Sequence, residues 1–135
     1  MKSWGWIAGS IVGASLLVSG CGNTGSTGGG GGNGGNTSVN VPANAQVVHV
    51  TASNWKWTLD KTTFKAGQPI DFQVTSKDGA HGFSIQGTSI TQPVEQGGSV
   101  KNVVWTPSQP GTYLIRCDIY CGAGHSTMTT PFTVQ

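Results

Sequence analysis

An all-β fold, a Greek-key β-sandwich, is what this 135-residue sequence predicts, and three observations carry the prediction. Short runs alternate apolar with polar residues or are rich in β-branched and aromatic side chains. Gly, Pro, Asn and Asp interrupt those runs about every 8–12 residues, the spacing of sandwiches and barrels. No window sustains the 3.6-residue apolar period of a helix facing a core, so helix is limited to a turn or two.

The runs follow in order. Val47-Val48-His49-Val50-Thr51-Ala52 is β-branched and bounded by Asn and Ser. Trp55-Lys56-Trp57-Thr58-Leu59 alternates large apolar with polar residues, which places both indoles on one face of a half-buried strand. Turns at Asp60-Lys61 and Ala66-Gly67-Gln68-Pro69 lead to Ile70-Asp71-Phe72-Gln73-Val74-Thr75, whose alternation is strict and which Ser76-Lys77-Asp78-Gly79 breaks. His81-Gly82-Phe83-Ser84-Ile85 is a further short strand. Val100–Trp105 follows and stops at Thr106-Pro107; Pro110-Gly111 opens Thr112–Cys117; Pro131-Phe132-Thr133-Val134 closes the chain. In this layout Cys117–Met128 is a loop between the last two strands, at one end of the sandwich, and His81 opens a strand able to reach the same end.

Ahead of these runs lie two segments of different character. Residues 1–20 place Lys2 before a short apolar stretch, the layout of a secretory signal. They end Leu17-Val18-Ser19-Gly20-Cys21, which resembles the lipobox of bacterial lipoproteins, with cleavage before Cys21 and lipid on its sulfur. Retention of the segment as a short membrane anchor is the alternative; either way the remainder lies outside the cytoplasm. From Gly22 the chain is almost wholly Gly, Asn, Ser and Thr. Such a composition buries too little apolar area to offset backbone ordering, so residues 21–38 read as a lipidated Cys and flexible tether with a reach of roughly 20–25 Å. Residues 39–135 suffice for one small core.

Charge excludes rather than identifies. Seven basic and five acidic side chains form no stripe or tail, so nothing recommends nucleic acid as a partner. The glycine run follows no strand and opens no helix, so it is not a phosphate-binding loop.

The chemistry is concentrated in Cys117-Asp118-Ile119-Tyr120-Cys121-Gly122-Ala123-Gly124-His125-Ser126-Thr127-Met128. Thiolates, imidazole and thioether are the soft and borderline ligands that select copper over magnesium, calcium or manganese. In an oxidising compartment a Cys pair four apart also suits a disulfide, but a structural disulfide has no use for the neighbouring His125 and Met128. With His81 the set reaches two His, two Cys and one Met, too many for one copper and about right for two. Both thiolates then bridge the ions, His81 and His125 supply one imidazole each, Met128 is one weak donor, and the Ile119 carbonyl, inside the Cys-to-Cys loop, is the other. A closed site of this kind suits one-electron transfer better than Lewis-acid chemistry. A mononuclear blue-copper protein using His81, Cys121, His125 and Met128, and a lipoprotein that delivers or stores copper, stand as alternatives. His49 reads as a surface or packing residue. Asp78, three residues before His81, is either a solvated turn residue or a group that fixes the ligand's orientation.

The block from Val47 to Gln135 resembles the copper-binding domain of cytochrome c oxidase subunit II, the dinuclear CuA cupredoxin. Trp55-Lys56-Trp57, Asp78-Gly79-Ala80-His81-Gly82-Phe83, Pro110-Gly111-Thr112-Tyr113 and the Cys117–Met128 loop carry the resemblance, and their wording is nearest to the B-type haem-copper oxidases. It implies a cupredoxin-like fold and an electron-uptake patch at Trp55 or Trp57. It also implies a cytochrome c or small copper protein as donor, a haem-bearing oxidase subunit as acceptor, and a copper chaperone for assembly. No catalytic site of the chain's own is expected. Two departures stand out. Many members place between the cysteines a Glu whose carboxylate also reaches a magnesium site, whereas Ile119 keeps only the carbonyl, so no magnesium is expected. Members usually carry transmembrane helices, where this chain is expected to be lipid-anchored on the extracytoplasmic face of a bacterial membrane.

Overall fold

The computed structural model describes residues 39–135; the expected signal, lipidated Cys21 and tether lie outside the described residues. Nine strands, β1 (Gln46–Ser53), β2 (Lys56–Leu59), β3 (Thr63–Phe64), β4 (Ile70–Ser76), β5 (Ala80–Ile85), β6 (Thr91–Glu95), β7 (Lys101–Trp105), β8 (Gly111–Cys117) and β9 (Thr129–Val134), are joined by one short 3₁₀ turn, His125–Thr127. They form two sheets, β2-β1-β4-β7 and β3-β9-β8-β5-β6, each mixing antiparallel with parallel pairs. The fold is the all-β sandwich that alternation and turn spacing predict.

Period-two patterning sets the core. Val48, Val50 and Ala52 of β1 are buried while Val47 and His49, on the opposite face, are exposed. Phe72 of the first sheet meets Phe83 and Phe132 of the second at ring separations of 5.3 and 5.6 Å. Phe64 packs on Phe132 edge-on at 5.7 Å, a favoured aromatic arrangement.

The inward files of β5 and β8 position the chemistry. On β5 the inward residues are His81, Phe83 and Ile85; on β8 they include Ile115 and Cys117. The strands run antiparallel with Phe83 opposite Cys117. His81 therefore stands two residues beyond that pair, at the end of the sandwich where the chain leaves β8 for the ligand loop.

Three departures from the sequence reading have physical causes. Trp55 is not a strand residue: it adopts φ +63° in the turn before β2, so Trp57 is buried and Trp55 is not. The strand β6 went unread because Pro93 lies inside it; β6 is the edge of its sheet, where the missing N–H is tolerated. β3, two residues long, is too short to show a period.

His49 is exposed, as expected, and is tied to Asp60. Its backbone N–H donates to Asp60 Oδ1 at 2.9 Å, and its Nδ1 lies 2.6 Å from Asp60 Oδ2. Those hydrogen bonds from His49 hold the Asp60 carboxyl below its ordinary value. The stability gained is present above the usual carboxylate range and is lost as pH falls through the lowered pKa. Asp60→Asn should therefore destabilise the domain modestly at neutral pH and lose less stability than the parent on acidification, read by thermal melts from pH 7 to 3.

Candidate metal centre

The ligand loop leaves β8 at Cys117 and returns at β9, and its ends are closed by the Cys117 N–H donating to the Met128 carbonyl at 3.2 Å. The 3₁₀ turn is built by the His125 N–H donating to Gly122 O and the Met128 N–H to His125 O. In 3₁₀ geometry residues three apart eclipse one another, which brings His125 and Met128 to one side.

The six donors expected from sequence converge. Cys117 Sγ and Cys121 Sγ are 3.4 Å apart, beyond a disulfide bond, and both are free thiols. The Ile119 carbonyl lies 3.1 Å from Cys117 Sγ. Cys121 Sγ is 3.7 Å from His125 Nδ1 and 3.8 Å from Met128 Sδ. Donor atoms of His81, Cys117 and Cys121 lie within 4.8 Å of one another. His81, Cys117 and Met128 are buried, while Cys121 and His125 are half-buried. Burial pushes the Cys121 thiol up to about 11, helped by the adjacent Cys117, so without a metal it keeps its proton at neutral pH.

His81 provides the test of fit. Its Nε2 is 2.7 Å from the Asp78 carbonyl, so the ring donates from Nε2 and leaves Nδ1 as an acceptor. That Nδ1 is buried and has no hydrogen-bond partner. An unsatisfied buried acceptor costs about 1–3 kcal/mol, and a cation held with the two thiolates removes that cost. Asp78 thus acts through its backbone: its carbonyl also accepts from Ser76 Oγ at 2.9 Å, fixing the turn that aims the imidazole. A soft sulfur pair, an oriented imidazole and a thioether fit copper.

The two indoles have separate places. Trp57 is buried against the centre, its ring 6.2 Å from that of His81 and 5.8 Å from that of Phe83. Trp55 lies across the loop, 43% exposed, and its Nε1 donates to the Cys121 carbonyl at 3.4 Å. Two residues of the site escaped the sequence reading. Tyr120 is 80% exposed with its ring 5.7 Å from that of His125; an aromatic between two cysteines carried no signal of exposure. Gly82 lets the loop cross β5, for a Cβ there would stand 3.0 Å from Ile119 N; its position after His81 was the only hint.

A β-sandwich whose end loop gathers sulfur and imidazole donors defines the class of cupredoxin-like metal-binding domains. Residues 51–135 match the profile of cytochrome c oxidase subunit II, periplasmic domain, and the chain belongs to that family. It is 37% identical over 97 residues to cytochrome c oxidase subunit 2 of Thermus thermophilus, covering 72% of this chain and 71% of that one. Among solved structures it resembles a chain of a heme-copper terminal oxidase dimer at 28% identity and TM-score 0.60, over 69% of this chain and 66% of that one. The periplasmic domain of subunit II of the Bradyrhizobium japonicum cytochrome oxidase has the same fold, with TM-score 0.64, 16% identity, and coverage of 71% and 88%. The family match assigns the matched residues to the extracytoplasmic side.

Proposed function

We propose that this domain is a membrane-tethered electron carrier with a dinuclear CuA centre, passing single electrons from a cytochrome c or small copper protein towards a haem-bearing oxidase subunit. The observation that carries the reading is the buried, unpartnered His81 Nδ1 grouped with two free thiols. The residues that would hold the ions are His81, Cys117, the Ile119 carbonyl, Cys121, His125 and Met128. When bound, a copper pair held by these residues would supply a one-electron couple whose charge change is shared over two ions. The protein's part is to orient and to exclude water. The Asp78 carbonyl holds His81 in one tautomer, and Trp57, Phe83 and Met128 close the inner side. Cys121 and His125 stay half-open towards the surface where Trp55, Ile119 and Tyr120 are exposed. That rim is the approach for a donor, and Trp55, bonded to the Cys121 carbonyl, is the uptake residue. A lipid on Cys21 and the Gly-rich tether would keep the domain near a membrane-bound acceptor, and a copper chaperone would load it.

Copper-loaded protein is expected to bind two ions per chain, to be purple, and to give a seven-line hyperfine pattern, since one unpaired electron couples equally to two copper nuclei. One ion with a four-line pattern would overturn the dinuclear reading. Because Ile119 contributes its carbonyl, Ile119→Val and Ile119→Gln should keep both ions and the purple spectrum; metal analysis and absorption check this. An emptied site in either variant would show that the side chain has a role of its own.

A further inference from the structure

Asp118 separates Cys117 from Ile119 and is held on the outside of the second sheet by its backbone and its side chain independently. Its N–H donates to the Gly82 carbonyl at 3.1 Å. Its side chain lies flat over Gly82, where a Cβ would stand 1.8 Å from Asp118 Oδ1. Its other carboxylate oxygen, Oδ2, accepts a hydrogen bond from Thr91 Oγ1. Thr91 opens the edge strand β6 and sits opposite Ser84 of β5, so the bond ties the first residue of the ligand loop to an element remote in sequence. The Ile119 carbonyl, one residue further along the chain, lies 3.1 Å from Cys117 Sγ.

We propose that Thr91 and Asp118 form a latch that fixes the Ile119 carbonyl against Cys117, which makes Thr91 a positioning residue for the metal centre. A hydroxyl donating to a carboxylate is stronger than a neutral hydrogen bond. With the Gly82 bond it restrains Asp118 through both its backbone N–H and its side chain, and so narrows the paths by which the chain reaches Ile119. The placing of a weak oxygen donor would adjust the electronic structure and potential of copper bound there, so Thr91 would act on the centre without touching it. This inference rests on the proposed function for its spectroscopic consequences; its mechanical content stands apart from copper.

The test compares the full-length protein with Thr91→Val, which keeps the shape and removes the hydroxyl, and Thr91→Ser, which restores it. In copper-free protein, hydrogen exchange at the Asp118 amide should quicken about fivefold in Thr91→Val, as expected for losing a hydrogen bond of ordinary net strength, and return in Thr91→Ser. In protein loaded with copper salts, Thr91→Val should keep both ions, alter the hyperfine splitting, and release copper severalfold faster to a Cu(I) chelator, with Thr91→Ser again matching the parent. Parental exchange and spectra in Thr91→Val would overturn the latch. So would Thr91→Ser behaving like Thr91→Val, since the methyl rather than the hydroxyl would then matter. Failure of the parent itself to take two ions would overturn the dinuclear reading, and the exchange comparison would still decide the latch.

Discussion

Replacing Cys117 by Ser is expected to cut copper capacity from two ions to at most one while leaving the metal-free fold nearly unchanged. The substitution is close to isosteric. Cys117 is 5% exposed at the end of the inward file of β8, and its Sγ lies within hydrogen-bonding distance of the Ile119 carbonyl, 3.1 Å away, a contact a hydroxyl can keep. The structural cost is therefore about 1 kcal/mol or less. The chemical cost is of another order. A serine hydroxyl does not ionise near neutrality and offers a hard oxygen where copper prefers sulfur. Without the Cys117 thiolate, Cys121, His125, Met128 and His81 remain, which is a set for one copper. The variant should lose the purple colour and seven-line pattern, and an ion that remains should show four lines. Metal analysis and paramagnetic resonance on parent and variant decide between readings: a mononuclear blue site, in which Cys117 is spare, requires both to hold one ion with the same spectrum.

The candidate donors were readable because their information is in side-chain identity and spacing. Two Cys, a His and a Met within one turn-rich segment have no packing explanation, and the structure draws them together with His81. The strands that carry the core were readable for a similar reason, since Val48, Val50 and Phe72 announce their face by alternation. What was not readable depends on backbone geometry or distant contact. Trp55 alternates with Trp57 in sequence, yet a left-handed φ of +63° takes it out of the strand and onto the loop. The sequence offers the Asp78 carboxylate as a group to orient His81, but its backbone carbonyl is the acceptor, and every residue has one. Asp118 had no partner in sequence because Thr91 reaches it only once β6, disguised by Pro93, pairs with β5.

Gly124→Ala is expected to have a large effect from the smallest change that adds a side chain. Gly124 adopts φ −91° and ψ 8°, a conformation open to alanine, so the backbone raises no objection. Space does. A Cβ at this position would stand 2.1 Å from Trp55 Cγ and 2.4 Å from Trp55 Cβ. The second of those atoms is fixed to the Trp55 backbone, so no rotation of the indole relieves the overlap; either the turn carrying Trp55 or the ligand loop must move. Overpacking of this kind costs about 1–3 kcal/mol, which urea unfolding of the metal-free protein should show. Displacing the indole also removes its hydrogen bond to the Cys121 carbonyl and uncovers the half-buried side of the centre. Copper should leave faster to a chelator, and electron exchange with a reduced cytochrome c should slow at least tenfold. Adding Trp55→Ala separates these consequences. With the obstacle gone, the double variant should recover stability and copper retention relative to Gly124→Ala, a non-additivity that reports the direct contact, while under the proposed role of Trp55 as uptake residue electron exchange stays slow. Recovery of exchange in the double variant would remove Trp55 from the electron path, and parental copper retention in Gly124→Ala would show that the indole does not brace the loop.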